Sequence, residues 1–174
     1  KYVSMVNNGS IALLISMIVC GLKENDEIII PNCGWISPVH AAMFLKLKIK
    51  LIDVEKERPL MNLEVLKTAI SNKTKAIIPV HLNGMAVDIN KIKSIIKRRK
   101  IYIIEDSAQA LFSKNKKNFL GTEGDVGCFS FSVPKIVTTG QGGFCCTNNK
   151  KIYEKIKSIK THGMRNVFYS TWDS

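Results

Sequence analysis

The sequence lacks the long apolar segment that a membrane-spanning helix requires. Its longest apolar run, from Ile11 to Val19, is interrupted by Ser16 and is far shorter than the roughly 20 apolar residues that cross a bilayer. No stretch near the start combines a basic region, an apolar region and a small-residue cleavage site, so no secretory signal is visible. We predict no membrane partner, and the free cysteines that we expect favour the reducing environment of the cytoplasm.

Motifs for metal binding and thiol redox chemistry are also missing. The five cysteines show no CxxC spacing, and the histidines at positions 40, 81 and 162 lie far apart. Each histidine fits a structural or hydrogen-bonding role better than metal ligation. Cys145 and Cys146 are adjacent on a predicted strand and should face opposite sides of it. We therefore expect free, mostly buried thiols and no metal site.

Acidic residues are scarce, with 14 against 26 lysines and arginines, which gives a formal net charge of +12. A basic surface can attract nucleic acid or a phosphorylated substrate. The lysines, however, are spread along the chain. The one dense run, residues 97–100, falls at the end of a predicted helix, where cations suit the helix dipole. The charge therefore indicates a solvated surface, and we predict no nucleic-acid partner.

The usual nucleotide-binding motifs are not present either. There is no GxxxxGK[ST] segment, which excludes a P-loop. The glycine-rich stretch Gly140–Gly143 precedes a predicted strand, whereas the glycine turn of a dinucleotide-binding fold follows one.

Short apolar strands and helices alternate along the 174 residues, and 45% of the residues are hydrophobic. We predict helices at 10–22, 36–45, 63–70, 88–100 and 150–160, strands at 27–31, 48–54, 75–79, 101–105, 128–131 and 143–147, and a polar loop at 113–122. Such alternation predicts an α/β fold with a mostly parallel sheet flanked by helices. In such sheets, ligands bind beyond the carboxyl ends of the strands.

Two segments of the predicted sheet carry polar residues suited to a ligand. Gly9 and Ser10 lie at a helix start, where backbone amides and a hydroxyl can bind an anion, although a purely structural cap is the alternative. Asp106 follows a buried strand and needs a cationic partner there. Gln109 comes three residues later. For Asp106, a structural ion pair or a helix cap is an equally good interpretation.

Lys135 is the lysine with the most suggestive surroundings. It follows a predicted apolar strand and precedes a glycine-rich segment, close to the hydroxyl of Ser130 and to four apolar residues: Phe129, Phe131, Val133 and Ile136. We expect these apolar neighbours to desolvate the amine, which favours its uncharged, nucleophilic form.

In order and spacing, six motifs resemble the DegT/StrS family of pyridoxal-phosphate-dependent sugar aminotransferases, in particular its perosamine-synthase-like members. The motifs are NGSIAL, PNCGWIS, IPVHLNG, IEDSAQA, GCFSFSVPK and TTGQGG, and the resemblance as a whole extends from about Asn8 to Gly163. The resemblance implies the large domain of a fold type I aminotransferase, with a mixed seven-stranded sheet in which Gly143–Thr147 is the one antiparallel strand.

The same resemblance implies that residues 1–174 are a partial cofactor-binding domain. The family's N-terminal leader, its GxNxR segment and its small C-terminal domain are absent from this sequence. Consistent with this, the chain starts at Lys1 and residues 168–174 contain no terminating element. We therefore expect an excerpt of a longer protein, which by itself could be inactive.

The resemblance also assigns roles to single residues. Lys135 stands where the family's lysine bonds covalently to pyridoxal 5'-phosphate, and Asp106 where an acid pairs with the pyridine nitrogen. Gln109 would lie beside the phenolic oxygen of the ring, and Trp35 would stack on the ring face, with a buried core tryptophan as the alternative. Three residues match phosphate-binding positions: Gly9, Ser10 and Ser130.

The implied activity is transamination of a nucleotide-linked keto-sugar, with glutamate as the amino donor, for amino-sugar and surface-polysaccharide biosynthesis in a homodimer. The family also includes sugar dehydratases that have histidine in place of the lysine, so Lys135 favours amino transfer. Two alternatives stay open. One is an aminotransferase for a cyclitol-type substrate, and the other is a non-catalytic or degenerate relative that binds the cofactor and regulates.

Overall fold

The computed structural model describes residues 1–163, so the expectation about residues 168–174 lies outside the described part. In chain order the elements are β1 (Tyr2–Val6), α1 (Gly9–Val19), β2 (Glu27–Pro31), α2 (Ser37–Phe44), β3 (Lys48–Ile52), α3 (Leu63–Ala69), β4 (Thr74–Ile77), a 3-10 turn (Leu82–Gly84), α4 (Ile89–Ile96), β5 (Tyr102–Asp106), β6 (Lys114–Asn115), β7 (Asn118–Phe119), β8 (Val126–Ser130), β9 (Gly143–Thr147) and α5 (Lys150–Lys160).

Seven of the strands form one sheet in the order β1-β9-β8-β5-β4-β2-β3. Strands β8, β5, β4, β2 and β3 pair in parallel, while β9 is antiparallel to both of its neighbours, β8 and β1. The predicted mostly parallel sheet, with Gly143–Thr147 as its one reversed strand, is therefore confirmed.

Two apolar cores cover the two faces of this sheet. One core joins α1, α2 and α5 to the sheet through residues such as Leu13, Ala42 and Ile156. The other joins α3 and α4 through residues such as Leu66 and Ile92. Because both faces are covered, the central strands are mainly apolar, and this explains the short hydrophobic runs in their sequences.

The structure adds one sheet strand and one hairpin to the predicted elements. β1 escaped prediction because its one buried residue is the polar Ser4, while Val3 and Met5 face outward and are about half exposed. The segment predicted as a polar loop contains the short β6–β7 hairpin, whose lysine and asparagine side chains hide any strand signal.

Helix α4 is shorter than predicted. Asp88 caps its start by accepting a hydrogen bond from the Lys91 backbone N–H at 2.9 Å. The helix ends at Ile96 because Lys97 adopts a left-handed φ of 50°, a region that L residues seldom occupy. The basic run 97–100 therefore follows the helix as an exposed segment.

The cysteines are free thiols, and four of them are buried, as the sequence predicts. Cys145 lies near Ser16 on the α1 side, with 3.7 Å between Sγ and Oγ, whereas the Cys146 Sγ donates to the Gly121 carbonyl at 3.0 Å. In residues 1–163, no helix is long and apolar enough to span a membrane. The same part of the chain contains no cluster of three potential metal ligands.

Candidate active site

A cavity of about 720 Å³ opens beyond the carboxyl ends of β4, β5 and β8. Helices α1 and α2 begin at its edge, so backbone N–H groups of their first turns are directed toward it. This is the position at which open α/β sheets bind their ligands. Its volume is within the range of about 300–1,000 Å³ that is typical of small-molecule sites.

All the predicted site residues line this one cavity: Gly9, Ser10, Trp35, Asp106, Gln109, Ser130 and Lys135. They come from five separate segments of the chain, which only the sheet topology brings together. Their placement is therefore observed, while the roles assigned to them stay predictions.

The start of α1 forms one wall of the cavity. The Asn8 side chain caps the helix by accepting a hydrogen bond from the Ile11 N–H at 2.9 Å, and the first turn contains no acidic residue. A Cβ atom on Gly9 would lie only 2.9 Å from the Ser130 Cβ, so glycine allows the start of α1 to pack closely against the end of β8 and brings Ser130 next to the helix start. This arrangement suits an anionic group such as a phosphate.

Ser37, at the start of α2, is a site residue that the sequence analysis missed. Its Oγ lies 2.7 Å from the Oγ of Ser10, so the two helix starts share a hydrogen bond at the cavity wall. Ser132 is a second such residue, with its Oγ 3.0 Å from that of Ser130. The Ser-Pro pair at 37–38, a common helix start, was the available signal for Ser37.

The Asp106 carboxylate is buried at the end of β5, with 5% of the residue exposed. Its Oδ1 accepts a hydrogen bond from the Ala108 N–H at 3.1 Å. Burial raises the pKa of the Asp106 carboxyl, and the Ala108 hydrogen bond and the charge of Lys135 oppose that rise.

Neither alternative for Asp106, a structural ion pair or a helix cap, is found among residues 1–163. Among the described residues, Asp106 forms no ion pair shorter than 4 Å, and a turn rather than a helix follows it. The buried carboxylate therefore faces the cavity without a cationic neighbour at ion-pair distance in residues 1–163.

Gln109 is held by the loop that follows β4. Its Oε1 accepts a hydrogen bond from the Asn83 N–H at 2.9 Å, and Asn83 has a left-handed φ of 52°. Because the carbonyl oxygen is used in this way, the amide nitrogen remains as the donor that Gln109 can offer to a ligand.

Trp35 is 72% exposed and lies at the cavity. The alternative of a buried core tryptophan is therefore wrong. Its exposed indole offers a large apolar surface to a planar ligand.

Lys135 lies in the loop between β8 and β9, and its backbone N–H donates to the Ser132 carbonyl at 3.0 Å. The expectation that four apolar neighbours desolvate its amine is wrong for Val133 and Ile136, which are 72% and 83% exposed. Phe129 instead stacks on Phe144, with 4.3 Å between ring centroids. Lys135 itself is only partly buried.

A second buried carboxylate, Glu105, lies next to Asp106 in the chain and was not singled out from the sequence. Its Oε2 lies 2.8 Å from the His81 Nε2 and accepts from the Gly121 N–H at 3.0 Å. Its Oε1 accepts from the backbone N–H groups of Glu123 and Gly124, at 2.9 and 2.5 Å. An acid within an otherwise apolar strand was the signal. The hydrogen-bonding role predicted for His81 is confirmed.

Comparison with known proteins identifies relatives over nearly the whole chain. The sequence model of the DegT/DnrJ/EryC1/StrS aminotransferase family matches residues 1–173. A GDP-perosamine synthase of Escherichia coli O157:H7 is 37% identical over 164 residues, which cover 94% of this chain and 45% of that protein.

Two further relatives extend the range of substrates. A Streptomyces kanamyceticus protein, provisionally described as an L-glutamine:3-amino-2,3-dideoxy-scyllo-inosose aminotransferase, is 30% identical over 168 residues, covering 97% of this chain and 40% of that protein. The solved E. coli GDP-4-keto-6-deoxy-D-mannose-3-dehydratase with bound hydrated PLP has a TM-score of 0.89 and 31% identity, covering 94% of this chain and 43% of that one. The chain thus spans less than half the length of these relatives.

Proposed function

The chain belongs to the DegT/DnrJ/EryC1/StrS aminotransferase family, and from this membership we propose that its cavity binds pyridoxal 5'-phosphate and that the full-length protein transfers an amino group to a nucleotide-linked keto-sugar. The observation that carries the proposal is the meeting of Lys135, Asp106 and the start of α1 in one cavity. An amine, a buried acid and an anion site are the three groups that hold the aldehyde, the pyridine nitrogen and the phosphate of this cofactor.

The residues of the cavity fit this cofactor. Gly9 lets the start of α1 approach Ser130 closely, so the backbone N–H groups of the helix start and the hydroxyls of Ser10 and Ser130 could bind a phosphate together. The raised pKa of buried Asp106 means that a cationic ring nitrogen would stabilise its charged form. Trp35 supplies an apolar surface for the ring, and the amide nitrogen of Gln109 supplies a donor for the phenolic oxygen.

Each residue then has a defined task in the proposed reaction. When bound, pyridoxal phosphate supplies an electron sink that stabilises negative charge on the substrate carbon. The Lys135 amine would hold the cofactor by condensing with its aldehyde, with loss of water, and when it is free of the cofactor its Nζ would move a proton to or from the substrate carbon. Asp106 keeps the ring nitrogen protonated, and Gln109 orients the ring.

We infer the substrate class from the named relatives. The GDP-perosamine synthase relative supports a sugar nucleotide as the amino acceptor. We propose glutamate as the donor and a pathway toward amino sugars of surface polysaccharides, as the family resemblance implies. The dehydratase of similar structure supports the same cofactor. Lys135 favours amino transfer over dehydration, because the family's dehydratases have histidine at that position.

A second candidate function keeps the cofactor and changes the acceptor. The Streptomyces kanamyceticus relative favours a cyclitol-type substrate. A non-catalytic regulator that only binds the cofactor fits less well, since binding alone requires no amine placed near a buried acid. We further propose that the full-length protein is a cytoplasmic homodimer. A monomeric mass in sedimentation of an active preparation would exclude the dimer.

The test is a visible absorption spectrum of the full-length protein with pyridoxal phosphate, with Lys135→Ala and Lys56→Ala measured in parallel. We expect the wild type and Lys56→Ala, which changes an exposed lysine, to show the absorption band of a lysine-bound cofactor, and glutamate to bleach it. Lys135→Ala should lack the band and lose at least about a thousandfold in transamination rate. A folded wild type without the band would refute the proposal. Product formation with a keto-sugar nucleotide or a keto-cyclitol would separate the two substrates.

A further inference from the structure

The carboxylate of Glu105 joins three neighbouring segments of the sheet, although it does not line the cavity. It lies in β5, the strand that ends in Asp106, and β5 lies between β4 and β8. On one side it contacts the ring of His81, in the segment after β4. On the other side it accepts from the N–H groups of Gly121, Glu123 and Gly124, in the turn that leads into β8.

The hydrogen bonds of His81 fix the orientation of its ring. Its Nδ1 accepts from the Val87 N–H at 3.2 Å, so that the ring proton lies on Nε2 and is donated to Glu105. The His81 backbone N–H in turn donates to the Asp106 carbonyl at 2.9 Å, and the Asp106 N–H donates to the Pro79 carbonyl at 2.9 Å. The ring of His81 and the backbone of Asp106 are therefore held as one unit.

The hydrogen bonds between Glu105 and the turn before β8 determine where β8 begins. Glu105 is paired in register with Gly127, and Asp106 with Cys128. The Gly121–Gly124 turn bonded to Glu105 comes directly before β8, whose last residue, Ser130, leads into the loop of Lys135. A slip of this turn would shift β8 and its loop relative to Asp106.

We propose that Glu105 and His81 are a pair of positioning residues, which hold the segment after β4 and the start of β8 against β5 and thereby set Asp106 and Lys135 at their working separation in the cavity. Neither residue needs to contact the reacting atoms. The role rests on the proposed function, because it concerns the placement of groups that would bind pyridoxal phosphate.

A glutamine at position 105 could not replace the carboxylate. The four groups that face Glu105 are all hydrogen-bond donors, whereas a glutamine amide offers one oxygen and one further donor. At position 81, glutamine could accept from Val87 through its oxygen and donate to Glu105 through its nitrogen, while leucine could do neither. His81→Gln is therefore the conservative variant and His81→Leu the disruptive one.

The experiment measures pyridoxal phosphate affinity of the full-length protein, under conditions in which circular dichroism shows each variant to be folded. We expect Glu105→Gln and His81→Leu each to weaken cofactor binding roughly tenfold. The double variant should bind no more weakly than the worse single variant, because both substitutions break the same contact between Glu105 and His81. His81→Gln should stay within about threefold of the wild type. Glu57→Gln, which changes an exposed carboxylate, should bind as the wild type does.

A spectroscopic readout separates positioning from a stabilising role alone. In His81→Leu, a displaced Asp106 would leave the ring nitrogen less charged, so the pH midpoint of the lysine-bound cofactor band should rise. If the wild type shows the band but both disruptive variants match its affinity and midpoint, the positioning role is refuted. Full additivity in the double variant would refute it as well. A wild type without any band would instead refute the proposed function.

Discussion

Two buried carboxylates stand side by side at the end of β5, and their surroundings differ completely. Glu105 is fully buried and faces four hydrogen-bond donors, three of them backbone N–H groups. Asp106 is nearly as buried, yet in the described chain its carboxylate accepts a single hydrogen bond, from Ala108. Adjacent residues of a strand point to opposite faces of the sheet, so each carboxylate meets a different part of the molecule.

This difference separates a carboxylate that is satisfied within the protein from one that faces the cavity. A buried carboxylate is tolerated when donors satisfy it, and it is costly otherwise. Glu105 is satisfied by the protein itself, so its interactions stabilise the fold. Burial raises the pKa of Asp106 because the charged carboxylate loses its hydration. A cationic ligand in the cavity would offset this desolvation cost.

The largest expected effect concerns catalysis. We expect Asp106→Asn in the full-length protein to lower the transamination rate roughly hundredfold or more, because the amide cannot hold a charged ring nitrogen. Steady-state kinetics with saturating cofactor measure the effect. Asp53→Asn is the matched control, since Asp53 is exposed and lies outside the cavity. Equal rates for the two variants would contradict the assignment of Asp106.

The free energy of unfolding should depend on Glu105 more than on Asp106. We expect Glu105→Gln to lower the free energy of unfolding by about 2 kcal/mol, since it leaves buried donors unsatisfied. Asp106→Asn should not lower it in the cofactor-free protein, because few protein contacts are lost and the charged carboxylate that is removed is costly to bury. Urea unfolding measures both. If Asp106→Asn proves the more destabilising of the two, the comparison of the carboxylates fails.

The smallest effect is a pH dependence. Because folding raises the pKa of Asp106, its contribution favours the folded state below the unfolded pKa, and this stabilisation is lost as the pH rises through the folded pKa. The unfolding free energy of cofactor-free wild type, relative to Asp106→Asn, should therefore decrease as the pH rises above about 4, the usual carboxyl value. Urea unfolding at a series of pH values would show parallel curves if Asp106 were unperturbed.

Prediction from the sequence succeeded for elements and site residues that can be recognised from their neighbours in the chain. The apolar runs and Asp88 at a helix start located strands and helix α4. Lys135, before a glycine-rich turn, and Asp106, at a strand end, were recognisable as candidates for the same reason. Ser37 and Glu105 were missed because their contacts are with residues 27 positions and 24 positions away in the chain. The local signals at these two positions, a Ser-Pro helix start and an acid in an apolar strand, do not identify such distant partners.

The apolar environment expected around Lys135 shows a second limit of prediction from local sequence. Val133 and Ile136 are apolar by composition, yet they are exposed, because they lie in a loop that extends from the sheet rather than in a strand packed between helices. Hydrophobicity predicts burial only for residues whose element is covered on that side.

The sequence by itself determined the α/β class, the family resemblance and the identity of the groups that could do chemistry, because composition, periodicity and motif order are local properties of the chain. Only the tertiary structure decided that these groups share one cavity and that Glu105 faces donors while Asp106 faces that cavity. The physical reason is that parallel pairing of β4, β5 and β8 brings segments that are distant in sequence to one edge of the sheet.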